Sequence, residues 1–212
     1  KNVFHNPAFA GLRESHQEVS YVEWLPDLTD DMGYQSILYT SDLGWSSEIF
    51  YFNYGTQVQA DQYGVVLGDF ESSSYRVSGG YGFGYKDWLV GARLNLYSHN
   101  FIDDFSIDMN YGFDIGAYKE FGNTSLGLVL KDVGGETEFL SQKLNLPMSV
   151  GVGVGHKFGN FTLSSDVKFY EDYNSIGLGG QYDLGIASLK LGYYTESEFD
   201  VDYLTLGGSI DA

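Results

Sequence analysis

PMSVGVGVGHKF, residues 147–158, reads as one long β-strand with two unlike faces. Met148, Val150, Val152 and Val154 fall on one side; Ser149, Gly151, Gly153 and Gly155 fall on the other. Such strict alternation marks a strand with a single apolar face. The second face decides the architecture. A soluble antiparallel sheet packs its apolar side on the core and presents a solvated polar side to water. Here the second side is Gly and Ser with few lysines, which suits the crowded inside of a barrel.

The pattern recurs on both sides of this stretch. Phe161, Leu163, Val167 and Phe169 oppose Thr162, Ser164, Asp166 and Lys168. Leu189, Leu191 and Tyr193 oppose Ser188, Lys190 and Gly192. Ile107, Met109, Tyr111, Phe113, Ile115 and Ala117 oppose Asp108, Asn110, Gly112, Asp114 and Gly116. Turn signals separate the runs at Lys86-Asp87, Gly122-Asn123, Gly159-Asn160 and Asp172-Tyr173-Asn174. Strands are predicted over 17–24, 32–41, 45–54, 72–85, 88–98, 106–120, 124–133, 147–158, 161–170, 174–184, 186–195 and 202–210. One short helix is predicted within 7–15, with Pro7 in its first turn.

These strands are long for a sandwich and match the roughly 9–11 residues that cross a bilayer. Longer loops at 25–31, 56–71, 100–105, 134–146 and 196–201 alternate with the tight turns, as on the two ends of an outer-membrane barrel. Trp24, Trp45, Tyr54, Tyr85, Trp88, Tyr118, Tyr193 and Tyr194 lie toward strand ends, as aromatic girdles do. The reading is all-β: an antiparallel up-and-down transmembrane β-barrel of about 12 strands, in the range of about 12–14. Residues 1–16 are read as a plug-like N-terminal segment and 17–212 as the barrel. The competing reading is a soluble or surface-assembled structural β protein.

Composition narrows the function classes. Among 212 residues, 29 acidic against 11 basic give a net charge of −18, which disfavours nucleic acid as a partner. Cysteine is absent, so disulfides, zinc thiolates and thiol nucleophiles are excluded. Lys1 runs straight into mixed sequence, as expected of a mature or trimmed product. Barrels of this kind commonly finish on an aromatic residue, whereas this chain finishes on Ala212; a trimmed or atypical end is expected.

Chemistry-bearing motifs are sparse. His5, His16, His99 and His156 show no metal-ligand spacing, and no GxSxG elbow exists. Gly80-Tyr81-Gly82-Phe83-Gly84 lacks the Lys-Ser/Thr of a phosphate loop and reads as small residues on a barrel interior. Acidic clusters at Asp27/Asp30/Asp31, Asp103/Asp104, Glu136/Glu138, Glu171/Asp172 and Glu196/Glu198/Asp200/Asp202 read as solvated loop edges. A lesser reading has Ca²⁺ or Mg²⁺ bridge them to lipid headgroups. Arg76, Arg93, Asp108, Asp114, Lys131, Asp166 and Lys168 are placed inward, poised to pair across a lumen. No enzyme activity, cofactor or resident metal is expected.

Several short motifs, in order, resemble one family. They are Asn6-Pro7-Ala8 with Phe9-Ala10-Gly11-Leu12; Trp24-Leu25-Pro26-Asp27 with Gly33-Tyr34-Gln35-Ser36; and Phe52-Asn53-Tyr54-Gly55 with Leu67-Gly68-Asp69-Phe70. Leu126-Gly127-Leu128-Val129-Leu130-Lys131-Asp132-Val133-Gly134 with Leu146-Pro147 follows, then Gly180-Gln181-Tyr182 and Leu189-Lys190-Leu191-Gly192-Tyr193. This succession is similar to the PorV/PorQ family, relatives of the FadL-type outer-membrane transporters. Asp132 stands where Asn is more usual and Lys190 where Arg is common. The resemblance implies an outer-membrane protein that docks or shuttles cargo in type IX secretion, receiving cargo by its C-terminal β domain. Its implied partners are other secretion-system or cell-surface proteins and outer-membrane lipid. The loops 56–71 and 134–146 are the expected partner surfaces, with Asp61, Tyr63, Asp69, Phe70, Glu136, Glu138 and Phe139 as candidate contacts. The alternative is a FadL-like channel for hydrophobic solutes, with an apolar lumen pocket near the Asn6-Pro7-Ala8 segment.

Overall fold

The computed structural model describes residues 3, 5–23, 31–102, 105–139, 142–198 and 201–210. A short 3-10 helix, Pro7–Leu12, precedes the strands. The strands are β1 (His16–Glu23), β2 (Met32–Thr40), β3 (Trp45–Ala60), β4 (Val66–Tyr85), β5 (Trp88–Ile102), β6 (Phe105–Phe121) and β7 (Thr124–Val133). After them come β8 (Glu136–Phe139), β9 (Gln142–Asn145), β10 (Ser149–Phe158), β11 (Phe161–Phe169), β12 (Asn174–Asp183), β13 (Ala187–Glu196) and β14 (Val201–Ile210). Twelve of them form a single antiparallel sheet in chain order, with β8 and β9 set apart as a small hairpin between β7 and β10. This is the predicted up-and-down meander. β1 and β14 are the two edges of the sheet.

Burial runs opposite to that of a soluble protein. Leu206 is 85% exposed, Ile210 81% and Val19 77%, while Asp114 is 0% and Arg93 3% exposed. On β10, Val150 and Val154 face outward and Ser149 and Gly151 are buried. The parity read from the sequence therefore holds, with the apolar side turned away from the lumen. Leaving so many large side chains in water forgoes about 1.5–3 kcal/mol apiece. A hydrocarbon environment removes that penalty, so the outward face is a membrane belt. Trp45, Tyr81, Tyr85, Phe121, Phe158 and Tyr182 lie on this face toward the tight-turn end. Lys119 Nζ sits 5.6 Å from the centroid of Trp88 and 4.9 Å from that of Phe121, with its charge toward the interface. A charge placed in the belt tests its depth. Leu178→Arg on β12 is expected to cost about 2–4 kcal/mol and to abolish the mobility shift on boiling. Gln181→Arg, on the lumen face of the same strand, is expected to keep the shift.

Register carries two corrections to the sequence reading. The predicted loop 56–71 is largely strand, because β3 and β4 continue as a paired hairpin to Ala60 and Val66. A register shift between Asn53 and Thr56, with Gly55 at φ 77°, swaps the two faces there, so the alternation is lost to a linear reading. The predicted loop 134–146 holds β8 and β9. Among the girdle candidates, Tyr118 is 7% exposed and faces the lumen, where its ring meets Phe9 edge-on at 4.9 Å. Tyr54 and Tyr194 also fall on the inward parity of their strands. Trp24 and the predicted loop 25–30 lie outside the described residues.

Candidate functional site

The site begins with a row of glycines. Gly82 on β4 pairs with Gly91 on β5, and Gly91 pairs with Gly116 on β6. Three adjacent strands thus present bare backbone at one level of the inner wall, close to the tight-turn end. The Pro7–Leu12 helix lies directly on this row. A Cβ added at Gly116 would fall 2.0 Å from Asn6 Oδ1, one at Gly91 2.4 Å from the Pro7 carbonyl oxygen, and one at Gly82 2.4 Å from Gly11 N. The segment is fastened as well as fitted. Asn6 Nδ2 donates to the carbonyls of Ala117 (3.2 Å) and Leu128 (3.0 Å), and Asn6 Oδ1 accepts from Ala8 N at 3.0 Å. Asn6 is therefore both helix cap and wall anchor, Pro7 supplies the preset φ of a first turn, and Ala8 is fully buried. This gives Gly80-Tyr81-Gly82-Phe83-Gly84 its structural role: Gly82 is where a side chain would collide.

Above the helix lies a layer of charge. Arg93 donates to Asp114 Oδ2 through Nη2 at 2.6 Å and Nε at 3.0 Å, and its Nη1 is 3.6 Å from Glu48 Oε2. Arg76 Nη2 meets the same Glu48 at 3.1 Å. Asp114 Oδ1 accepts from Asp132 N at 2.9 Å, and the Tyr97 hydroxyl donates to Asp132 Oδ1. The chain of ion pairs crosses β3 to β6, and the hydrogen bonds of Asp132 extend this layer of nearly cancelling charge to β7. Arg93 Nη1 also donates to the Val3 carbonyl at 3.4 Å, tying this layer to the N-terminal segment. The inward assignment of Arg76, Arg93, Asp114, Lys131, Asp166 and Lys168 matches the strand registers. Of Asp108, only the backbone is described.

Toward the long-loop end the inner wall turns aromatic. Glu48, Phe50, Phe52 and Tyr54 occupy successive inward positions of β3, with Tyr34 of β2 opposite Phe52. Tyr34 and Phe50 stack at 5.4 Å, Phe52 and Tyr54 meet at 4.6 Å, and the Arg76 guanidinium lies 5.0 Å from the Phe50 centroid. The sequence reading missed Glu48 and this stripe, because Trp45, Ile49 and Tyr51 make the opposite face of β3 equally apolar. Glu48 sharing parity with Ser46 was the available signal.

The residues expected to touch partners fall in two places. Asp61 and Tyr63 form the tip of the β3–β4 hairpin, where Asp61 Oδ1 accepts from Tyr63 N and Val65 N at 2.8 and 2.9 Å. Asp69 and Phe70 lie on the β4 flank of that hairpin. Glu136, Glu138 and Phe139 lie on β8, so the two groups belong to separate hairpins. Leu146, at the base of the second hairpin, donates its N–H to the Gly135 carbonyl at 3.0 Å. Of the acidic clusters, Asp27, Asp30, Asp103, Asp104 and Asp200 lie outside the described residues. No cluster of three or more metal-ligating side chains occurs among the described residues. The layer above Asn6-Pro7-Ala8, where the sequence reading expects an apolar lumen pocket, holds Arg93, Glu48 and Asp114. Two apolar depressions, of about 780 and 620 Å³, are lined mainly by outward residues such as Leu163, Leu178, Leu191, Val90 and Ile115.

No protein-family model matches the chain, and no curated protein matches it in sequence. Among solved structures, it is similar to a TodX monoaromatic hydrocarbon channel, the ΔS2S3 mutant. The TM-score is 0.60 at 13% identity, over 85% of this chain and 74% of that one. A refined porin structure aligns at TM-score 0.47 and 16% identity, over 84% and 61% of the two chains. The fold is that of an outer-membrane β-barrel, and the outward belt places the chain in a bacterial outer membrane.

Proposed function

We propose that the chain is an outer-membrane channel for small hydrophobic solutes, of the FadL-like kind. The observation that carries this reading is the N-terminal segment seated across the glycine row, inside a barrel-type sheet whose wall turns aromatic beyond the ion-paired layer. A segment anchored through Asn6 and Arg93 and fitted to bare backbone closes the tight-turn end of a lumen. The likeness to a hydrocarbon channel supports the fold this reading needs. Uptake of radiolabelled toluene and oleate by cells lacking their own hydrophobic-solute channel tests it. Expression of this chain is expected to raise the initial rate of at least one of them several-fold. Rates equal to the empty-vector strain, with the barrel present in the outer membrane, would sink the channel reading.

A second reading, docking of secretion cargo as in the PorV/PorQ family, is favoured by one feature. The β3–β4 hairpin runs past the register shift at Asn53/Thr56 and carries at its tip the exposed Tyr63 beside the half-buried Asp61. Trimming residues 57–70 is expected to abolish co-purification of cargo bearing a C-terminal β domain while sparing solute uptake.

A further inference from the structure

We propose that the aromatic stripe on β2–β4 is a binding site for a neutral aromatic ring bearing a hydroxyl group, a phenol rather than a plain hydrocarbon. This rests on the channel reading and names the solute that the channel would take.

The stripe supplies flat faces at regular height. Phe50, Phe52 and Tyr54 alternate inward along one strand, so their backbone attachment points follow one another at about 6.6–6.8 Å, and the Phe52 and Tyr54 rings lean together to 4.6 Å. Tyr34 extends the surface sideways, stacked on Phe50 at an interplanar angle of 29°. All four residues are half-buried, and all sit on the inward parity of their strands. A ring moving down such a wall exchanges one aromatic contact for the next.

Hydroxyl recognition comes from the polar residues beside the rings. Ser74 faces Phe52 across the β3–β4 pair, and His99 faces Ser74 across the β4–β5 pair. Ser74 Oγ donates to Tyr54 Oη at 3.1 Å and lies 2.6 Å from His99 Nδ1. In the tautomer with the His99 proton on Nδ1, His99 donates to Ser74, Ser74 donates to Tyr54, and the relay ends at the phenolic proton of Tyr54, which can donate to an oxygen lying against Phe52. An alkyl or aryl hydrocarbon would leave that donor without use.

Charge sets the third requirement. At the foot of the stripe Arg76 is bound by Glu48, and Arg93 by both Glu48 and Asp114. The cations are already matched by carboxylates, so an anionic solute such as a carboxylate gains nothing by replacing them. A neutral ring with one hydroxyl matches all three features: ring faces, a hydroxyl relay and a neutralised floor.

Fluorine NMR on the barrel in lipid nanodiscs, with empty nanodiscs as the blank, reads this out for 4-fluorophenol, fluorobenzene and fluorocyclohexane. Saturable broadening is expected for 4-fluorophenol, weaker binding for fluorobenzene and none for fluorocyclohexane. Phe52→Leu, which keeps bulk and removes the ring, is expected to weaken both aromatic probes by about 2–10-fold. Tyr54→Phe is expected to weaken 4-fluorophenol by about 2–10-fold and leave fluorobenzene unchanged. Equal binding of the phenol and the cyclohexane, or no response to either substitution, overturns the proposal. So does displacement of the phenol by maltose, which would make the stripe a sugar track. Failure here with toluene or oleate uptake intact leaves the channel reading standing; failure of both removes the two together.

Discussion

Gly116→Val is expected to eject the N-terminal segment from the lumen and leave the barrel standing. A Cβ at Gly116 would lie 2.0 Å from Asn6 Oδ1 and 2.9 Å from Asn6 Cγ and Pro7 Cδ. None of those atoms can yield independently: Asn6 is held to the Ala117 and Leu128 carbonyls, and the proline ring is rigid. The barrel wall is fixed by ladders to β5 and β7 on either side. The segment has few such ladders and is the softer partner. The expected phenotype is a heat-modifiable barrel whose first dozen residues become protease-sensitive, with single-channel conductance raised several-fold. Gly179→Val is the control: it adds the same side chain to the inner face of β12, remote from the segment, and meets only the Ser164 side chain. Unchanged protease resistance and conductance in Gly116→Val would show that the seated segment does not close the lumen.

That glycine row illustrates what a linear reading reaches and where it stops. Alternation along β10, β11 and β13 was legible because the belt imposes one apolar face on every residue pair at membrane depth. The inward parity of Arg93, Asp114 and Lys131 followed from the same rule. Gly82, Gly91 and Gly116 were each visible as small inward residues, but their alignment depends on the registers of two hairpins, which a single strand does not encode. The far ends of β3 and β4 were read as loop for a related reason. Beyond the belt no lipid face disciplines the pattern, and the shift at Asn53/Thr56 reverses the faces within the run. Tyr118 was assigned to the girdle because it stands near a strand end. Strand ends carry aromatics on both faces, and here the helix residue Phe9 takes the inner one.

Arg93→Met is expected to be the most destabilising substitution in the lumen, at about 3–5 kcal/mol. Arg93 is 3% exposed and its two nearest carboxylates, Asp114 and Glu48, are 0% and 6% exposed. Methionine keeps much of the side-chain bulk and removes the charge, so packing loss is minor and the cost is that of stranding anions. Glu48 retains Arg76, whereas Asp114 loses both guanidinium hydrogen bonds and keeps the backbone N–H of Asp132, the Asn95 side chain and the more distant charge of Lys131. Adding Asp114→Asn in the Arg93→Met background removes the stranded charge, and it is expected to recover at least about 1 kcal/mol. The exposed pair calibrates the scale: Lys119→Met breaks a 3.3 Å contact to Asp87, which is 81% exposed, and is expected to cost under about 1 kcal/mol. Urea unfolding from lipid vesicles, followed by tryptophan fluorescence, measures all four proteins. A cost below about 1 kcal/mol for Arg93→Met would mean that water screens the layer as it screens a surface pair. The same substitution also removes the bond to the Val3 carbonyl. Its effect on protease sensitivity of the segment should therefore be less than additive with that of Gly116→Val, since a segment already ejected has no bond to Arg93 left to lose.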